Sequence, residues 1–453
     1  MRVKRNTGLV LILALMIILL SSMPVLAAQE LKADTGNTAF IIICSALVLL
    51  MTPGLAFFYG GMVRKKNVLS IMMQCLVVMS LVSVQWVLLG YTLAFGPDLG
   101  SIIGNLDYLG LHGVSIFPSP DYASTIPHYV FVAFQLMFAI ITAALITGAF
   151  AERMRFSAFI LFVLLWTTLV YDPVAHWVWG GGWLGQLGAL DFAGGTVVHI
   201  SSGVSGLVVA LFIGKRLGKD RDAIIPHNLP FTVLGAALLW FGWFGFNAGS
   251  ALAADGIAGL AFLVSNTCAA AGAMSWVAAE WIHHGKPTVF GGVSGAVAGL
   301  VAITPAAGFV SPLSAVVMGI MVGPISYLFV SKIKQELGYD DSLDAFGIHG
   351  VGGTLGALAT GIFASTAVNP AGADGLLFGG LGLFGIQLVA VAASYLYAGL
   401  MTLLILKVIS RVMPLRVSDA EEEVGLDISL HGEDAYAYED MGVNDQLAVG
   451  LQS

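Results

Sequence analysis

Along the chain, long apolar runs alternate with short polar breaks. Three windows, 67–97, 156–171 and 376–406, hold no charged residue, and about 20 apolar residues let one helix cross a bilayer. Glycine, proline and charge divide the apolar sequence into eleven expected spans, near 38–60, 68–95, 127–150, 156–177, 192–213, 229–250, 256–283, 288–306, 308–330, 344–364 and 376–408. Only "TPAAGFVSP" separates the eighth from the ninth. The pattern predicts an all-α polytopic membrane protein.

Composition points the same way: 58% hydrophobic and 10% charged, where a soluble domain carries about 25% charged residues. The opening "MRVKRNTGLVLILALMIILLSSMPVLAAQ" has a basic head, an apolar centre and a small-residue end. That is the pattern of a cleaved signal peptide over residues 1–27, with an uncleaved first helix as the alternative. Cys44, Cys75 and Cys268 lie in apolar stretches with no paired spacing, so they read as packing residues and not as a disulfide framework. The formal net charge of −8 comes largely from residues 411–453, which include "DAEEEVGLDISLHGEDAYAYED". It gives no reason to expect a nucleic-acid partner. This segment is too short and too charged to build its own core; it reads as a solvated tail or as a docking segment for a regulator.

Basic residues set an expected orientation. Arg64, Lys65, Lys66, Arg153, Arg155, Lys215, Arg216, Lys219, Arg221, Lys286, Lys332 and Lys334 all fall in alternate loops, and Lys407, Arg411 and Arg416 flank the exit of the last span. Lys32 lies opposite. A mature N-terminus outside a cell (cytoplasmic) membrane and a C-terminus in the cytoplasm follow. Counting spans also suggests a repeat, 28–213 and 214–364, with 365–410 as a final long helix and 411–453 as a cytoplasmic tail. A five-span unit is odd, so its second copy is inverted, and inverted repeats with a site near the midplane are a transporter signature.

Polar residues inside the apolar runs carry the chemistry. Of the histidines, only His199 and His349 sit well inside spans, each after an aspartate at its helix start, Asp191 and Asp344. At 1.5 Å per residue, His199 lies about 12 Å below Asp191. Ionisable groups at such depth mark functional pathways by default. A neutral imidazole offers one donor and one acceptor and titrates near neutrality, so an adjacent pair suits a small hydrogen-bonding solute or a proton. Two histidines without a third ligand make a poor zinc site, and no metal or other cofactor is expected. Both aspartates suit helix capping; Asp191 also suits a cation held by its field without contact. Glu280 reads as an interfacial partner for a basic side chain.

Phe134 and Phe138 share one helical face, Trp179 adjoins a glycine run, and "WFGFNAGS" supplies Trp243, Phe246 and Ser250. Singly these are ordinary core or interfacial aromatics; together with a hydroxyl they fit a cation–π cup for a small cation. "GLGLFG" at 380–385 lies inside a span with no strand before it and is no dinucleotide site. The chain has no P-loop, HExxH, GxSxG or nucleophile–base pair, which argues against an ATP-driven pump and an intramembrane enzyme.

"MTPGLAFFYGGMVR", "DFAGGTVVHI", "WFGFNAGSA", "DAFGIHGVGG" and "GLDISLHGEDAY" together closely resemble the Amt/Mep ammonium transporters, relatives of the Rh proteins, from residue 51 into the tail. The resemblance implies eleven spans in two inverted five-helix halves and a homotrimer with one pore per subunit. Its substrate is ammonium or ammonia, with methylammonium as analogue. By motif, Trp179, Phe138 and Ser250 resemble the outer recruitment site, with Phe134 and Gln135 nearby and Asp191 behind. Phe138 and Phe246 resemble the phenyl gate, and His199 and His349 the pore's twin histidines. Tyr171, Trp243, Asn247, Thr304 and Asp344 take supporting places. Leu343 stands where some bacterial members have cysteine. The tail resembles the segment met by the trimeric PII signalling protein. Two alternatives remain: an ammonium sensor signalling through its tail, and an Rh-like channel for another small neutral gas or amine.

Overall fold

The computed structural model describes residues 31–219 and 225–436; the expected signal peptide and the tail beyond 436 lie outside them. Among the described residues, ten helices are long and apolar enough to cross a membrane. They are α1 (Thr35–Met62), α2 (Lys65–Phe95), α3 (His128–Phe150), α4 (Phe156–Leu187), α5 (Gly195–Ile213), α6 (Leu229–Gly249), α7 (Gly256–His284), α9 (Pro312–Leu337), α10 (Phe346–Phe363) and α11 (Leu381–Val412). The expected eighth span is a helix of 15 residues, α8 (Val289–Ile303), shorter than a full crossing requires.

Close backbone approach organises the bundle. α1 runs along α6, and α7 packs on both α8 and α9. A Cβ added at Gly235 of α6 would stand 2.1 Å from the Phe58 backbone nitrogen, so this interface tolerates only glycine there. Small residues give membrane helices the van der Waals contact that a hydrophobic effect between helices does not supply.

Two short hairpins lie between α2 and α3 on one face of the bundle: β1 (Asp98–Leu99) with β2 (Ile103–Gly104), and β3 (Pro118–Ser119) with β4 (Ala123–Pro127). The opposite face carries the tail, including α12 (Asp419–Val424), which is closed by a capping box between Ser418 and Glu421.

The tail's described part is not a solvated strand of chain. Arg155 N–H donates to Leu415 O at 2.8 Å and Val417 N–H to Arg153 O at 3.1 Å. The Glu422 carboxylate is buried, accepting from Leu217 N at 2.5 Å and pairing with Arg416 at 2.6 Å. Asp427 accepts from the Leu69 and Ser70 N–H groups at 3.0 and 2.7 Å, and Asn67 accepts from Leu426 N at 2.8 Å. The tail forms no core alone; it caps the start of α2 and shares the core of the bundle.

Beneath it lies a lattice of charge. Arg216 binds Asp340 through its side chain at 2.8 and 2.9 Å and reaches Glu152 at 3.4 Å, and Arg64 holds the same Glu152 at 2.7 Å. Buried Arg153 donates to the carbonyls of Gly214, Ala149 and Asp340. Burial penalises the Asp340 charge, but Arg216 and Arg153 overcome that and hold its carboxyl far below the usual range.

Candidate functional site

The two deep histidines meet. Each sits in a π-helical turn opening its helix, Gly195–Ile200 for α5 and Phe346–Gly350 for α10; such turns occur most often at functional sites. His199 Nδ1 and His349 Nδ1 lie 3.3 Å apart, with the rings 5.3 Å apart at 20°. Glycine makes the approach possible. A Cβ at Gly203 would stand 2.2 Å from the Gly350 nitrogen, and one at Gly353 would stand 2.9 Å from the His199 Cβ.

Both rings are almost wholly buried, yet His199 Nε2 has no hydrogen-bond partner among the described residues. It lines a narrow cavity of about 10 Å³ with His349, Trp243, Phe246 and apolar side chains, room for about one water-sized molecule. Trp243 stacks on His199 at 5.4 Å and 21°. Its indole N–H donates to Thr304 Oγ1 at 3.0 Å, and that hydroxyl donates to Leu300 O at 2.7 Å, so Thr304 orients the indole.

Above this cavity Phe138 and Phe246 lie face to face, centroids 4.3 Å apart and tilted by 34°. Phe138 also meets Trp179 edge-on at 5.9 Å. A vestibule of about 300 Å³ opens above the ring pair, lined by Phe138, Trp179, Ser250 and Gln135 among others. Ser250 Oγ donates to Phe246 O at 2.9 Å. Trp179 Nε1–H donates to Asp191 O at 2.9 Å, which fixes the indole at the vestibule wall.

Not every expected residue reaches these cavities. Phe134 lies behind Phe138, centroids 4.9 Å apart, against Gly249, where an added Cβ would meet its ring at 2.7 Å. Asn247 donates to Ser265 Oγ at 2.8 Å, outside both linings. Tyr171 packs at 6.3 Å from Trp86, its buried hydroxyl without a partner among the described residues, and lines neither cavity. Phe95, Asp121, Tyr122, Phe131 and Phe192 line the vestibule without having been expected there; a hairpin tip and an interhelical loop place several of them, and periodicity does not report such placement.

The aspartates divide. Asp191 is 7% exposed and accepts from Gly194, Gly195, Thr196 and Val197 N–H at 2.8, 2.6, 2.7 and 3.3 Å, and from the Thr196 hydroxyl. It caps α5, as expected. Asp344 does not cap α10. Its backbone has φ of 62° and its carboxylate pairs with Lys334. The cap is Asp341, which accepts from Ala345 and Phe346 N–H at 3.1 and 2.7 Å. His349 follows His199 by 150 residues, and Asp341 follows Asp191 by the same interval, a register signal that identifies the correct aspartate. Burial and the neighbouring Asp344 charge push Asp341 up to about 6, against Lys334 and the backbone donors. Among the described residues Glu280 meets no basic partner; it accepts from the Thr288 N–H and hydroxyl at 2.9 and 3.0 Å.

A helical membrane protein in which an aromatic vestibule stands over a buried imidazole pair is built as a transport protein. Residues 39–436 match the model of the Ammonium Transporter Family, and the chain belongs to that family. It is 59% identical over 401 residues to "Ammonium transporter" of Bacillus subtilis (strain 168), covering 88% of this chain and 98% of the relative. Among solved structures, Mep2 of Saccharomyces cerevisiae superposes with TM-score 0.82 at 38% identity, covering 91% of this chain and 93% of Mep2. A structure titled "Sensor Amt Protein" matches with TM-score 0.81 at 31% identity, covering 87% of this chain and 98% of that one.

Proposed function

We propose that the chain moves ammonium nitrogen across the cell membrane by taking up ammonium, removing its proton and passing ammonia along the histidine pair to the cytoplasm, the proton following separately over the two imidazoles so that the net transfer carries charge. Burying a bare charge in an apolar tube costs many kcal/mol. The vestibule offsets part of that cost for a small cation, with the faces of Phe138 and Trp179 and the Ser250 hydroxyl replacing water. Asp191 acts from behind, holding Trp179 through its carbonyl and the start of α5 through its carboxylate. Past the Phe138–Phe246 gate only a neutral solute passes cheaply.

The observation that carries this reading is the unpartnered Nε2 of His199 beside His349 in the narrow cavity. A neutral pair sharing one proton between its two Nδ1 atoms leaves one Nε2 as a donor and the other as an acceptor. Ammonia complements both. The further readings are a homotrimer with one pore per subunit, an outer vestibule, an inner tail, and a PII-type signalling protein docking on the tail face.

Current evoked by ammonium across a solid-supported membrane tests the mechanism, with methylammonium and a pH jump alone for comparison. His199→Ala or His349→Ala is expected to impair the ammonium-evoked current; unchanged currents at matched protein density would sink the histidine role. The likeness to the sensor structure favours a second reading, an ammonium sensor. Signalling that persists in a variant without flux would establish it. Competition by other small amines or gases decides the Rh-like alternative.

A further inference from the structure

Trp179 stands where α4 leaves its helical path: the helix stops at Val178 and resumes at Trp183, with the glycines of 180–182 between. The segment around the β1–β2 hairpin holds that interruption in place. Wholly buried His176, one turn before Trp179, bridges to it through both ring nitrogens, Nδ1 facing Ala94 O at 3.0 Å and Nε2 facing the Asp98 carboxylate at 2.9 Å. Trp183 N–H donates to Ser101 O at 3.0 Å, and the Trp177 indole N–H to Ile102 O at 2.8 Å. Glycine lets the chain close over the imidazole, since a Cβ at Gly180 would stand 2.0 Å from Ala94 O and 2.6 Å from His176 Nδ1. The His176 carbonyl accepts from the N–H groups of Gly180 and Gly182 at 3.0 and 2.9 Å, which shapes the turn that follows. Asp98 also accepts from Ser101 N–H at 3.1 Å, and the imidazole holds its carboxyl below the usual range, as a charge-assisted hydrogen bond does.

We propose that His176 and Asp98 are positioning residues for ammonium uptake: their bridge fixes the backbone turn from which Trp179 projects, and so the face that the indole shows to the vestibule. The Trp179 ring is held at its nitrogen by Asp191 O; the bridge supplies the other fixed point. Cation–π attraction needs the cation over the ring face, within about 6 Å of its centre, so an indole free to swing loses that contact while the vestibule stays open. Neither His176 nor Asp98 lines the vestibule or the histidine cavity, so both act through Trp179 and not on the solute. The bridge thus sets how dilute an ammonium solution fills the cup and leaves passage beyond the Phe138–Phe246 gate alone. This rests on the transport reading above.

The experiment is the ammonium dose–response of the evoked current for the full chain at matched amounts of folded protein. His176→Ala would open a cavity in the core, so the variants are made at Asp98, which is exposed. Asp98→Ala is expected to raise the half-saturating concentration roughly three- to tenfold, with little change in the maximal current. Asp98→Asn is expected to recover most of that loss, because its amide can donate to Nε2 of a neutral ring and accept from Ser101. In a Trp179→Leu background, where no indole remains to be placed, Asp98→Ala is expected to add no further shift. No shift in the wild-type background, a full shift in the Trp179→Leu background, or a loss of maximal current alone would overturn the positioning role and leave the transport reading standing. If the wild type itself gives no ammonium-evoked current, the transport reading falls and takes the positioning role with it.

Discussion

The starts of α5 and α10 perform one task in two settings. Each helix opens in a π-helical turn that carries a deep histidine, and each is capped by an aspartate lying the same interval before it. At α5 the cap is saturated by four backbone donors and a hydroxyl, and the ground above is an aromatic vestibule. At α10 two backbone donors meet the cap, and Asp344, Lys334, Asp340 and Arg216 crowd around it. An end that must admit a cation benefits from a carboxylate whose charge is already satisfied and whose position is fixed. An end set among the charges of Asp344, Lys334, Asp340 and Arg216 leaves its carboxylate able to titrate.

Removing each cap breaks the comparison most severely. Asp191→Ala leaves four backbone N–H groups and the Thr196 hydroxyl without their acceptor, at about 1–3 kcal/mol for each buried group so orphaned. Little folded protein is expected. Asp341→Ala orphans two donors and also removes a buried charge facing Asp344, so its loss should be well under half as large. Thermal unfolding followed by detergent size-exclusion measures both. Equal losses would mean that the two caps are equivalent after all.

The difference in legibility between the two ends has a physical cause. His199 and Asp191 stand out because a polar residue in an apolar run is conspicuous, and the cup aromatics cluster in short motifs. Asp344 misled because it sits closest to its helix, whereas its positive φ and its pairing with Lys334 are set by tertiary contact. The docked tail was equally hidden: Asp427 meets Leu69 across 358 positions of sequence, and no local pattern reports a bond of that range. The short α8 follows from the interruption at Thr304 to Ser311, which hydropathy alone bridges.

Titration sharpens the comparison next. Asp341 has its carboxyl raised from 3.8 to about 6. Between those values the folded protein keeps a proton that the unfolded chain has lost, so stability falls as pH rises, by up to about 3 kcal/mol. Below 3.8 both states are protonated and this contribution is flat. Asp340, held low by Arg216, has the opposite slope, losing stability as pH falls below 3.8. Asp341→Asn is therefore expected to flatten the unfolding profile between about pH 4 and pH 6 and to leave the acid limb. A wild-type profile already flat across that window would show that Asp341 is ionised throughout.

The smallest effect expected concerns the tail, which docks on the start of α2 and on the loops that carry Arg153 and Leu217. Asp427 accepts from the Leu69 and Ser70 N–H groups, the orphan donors that any helix start presents. Replacing such a cap with alanine costs about 1 kcal/mol, because water takes over once the tail lifts. Asp427→Ala should therefore barely move the unfolding midpoint. It should speed hydrogen exchange at Leu69, Ser70 and Leu426, since the Leu426 N–H is held only while Asn67 faces it. The neighbouring Ile428→Ala is the control, because that side chain is exposed and should leave exchange unchanged. Slow exchange at all three amides in Asp427→Ala would mean that the Leu217–Glu422 bond, the Lys66 contact and the backbone bonds at Arg153 and Arg155 hold the tail without it, and that the cap on α2 follows docking without causing it.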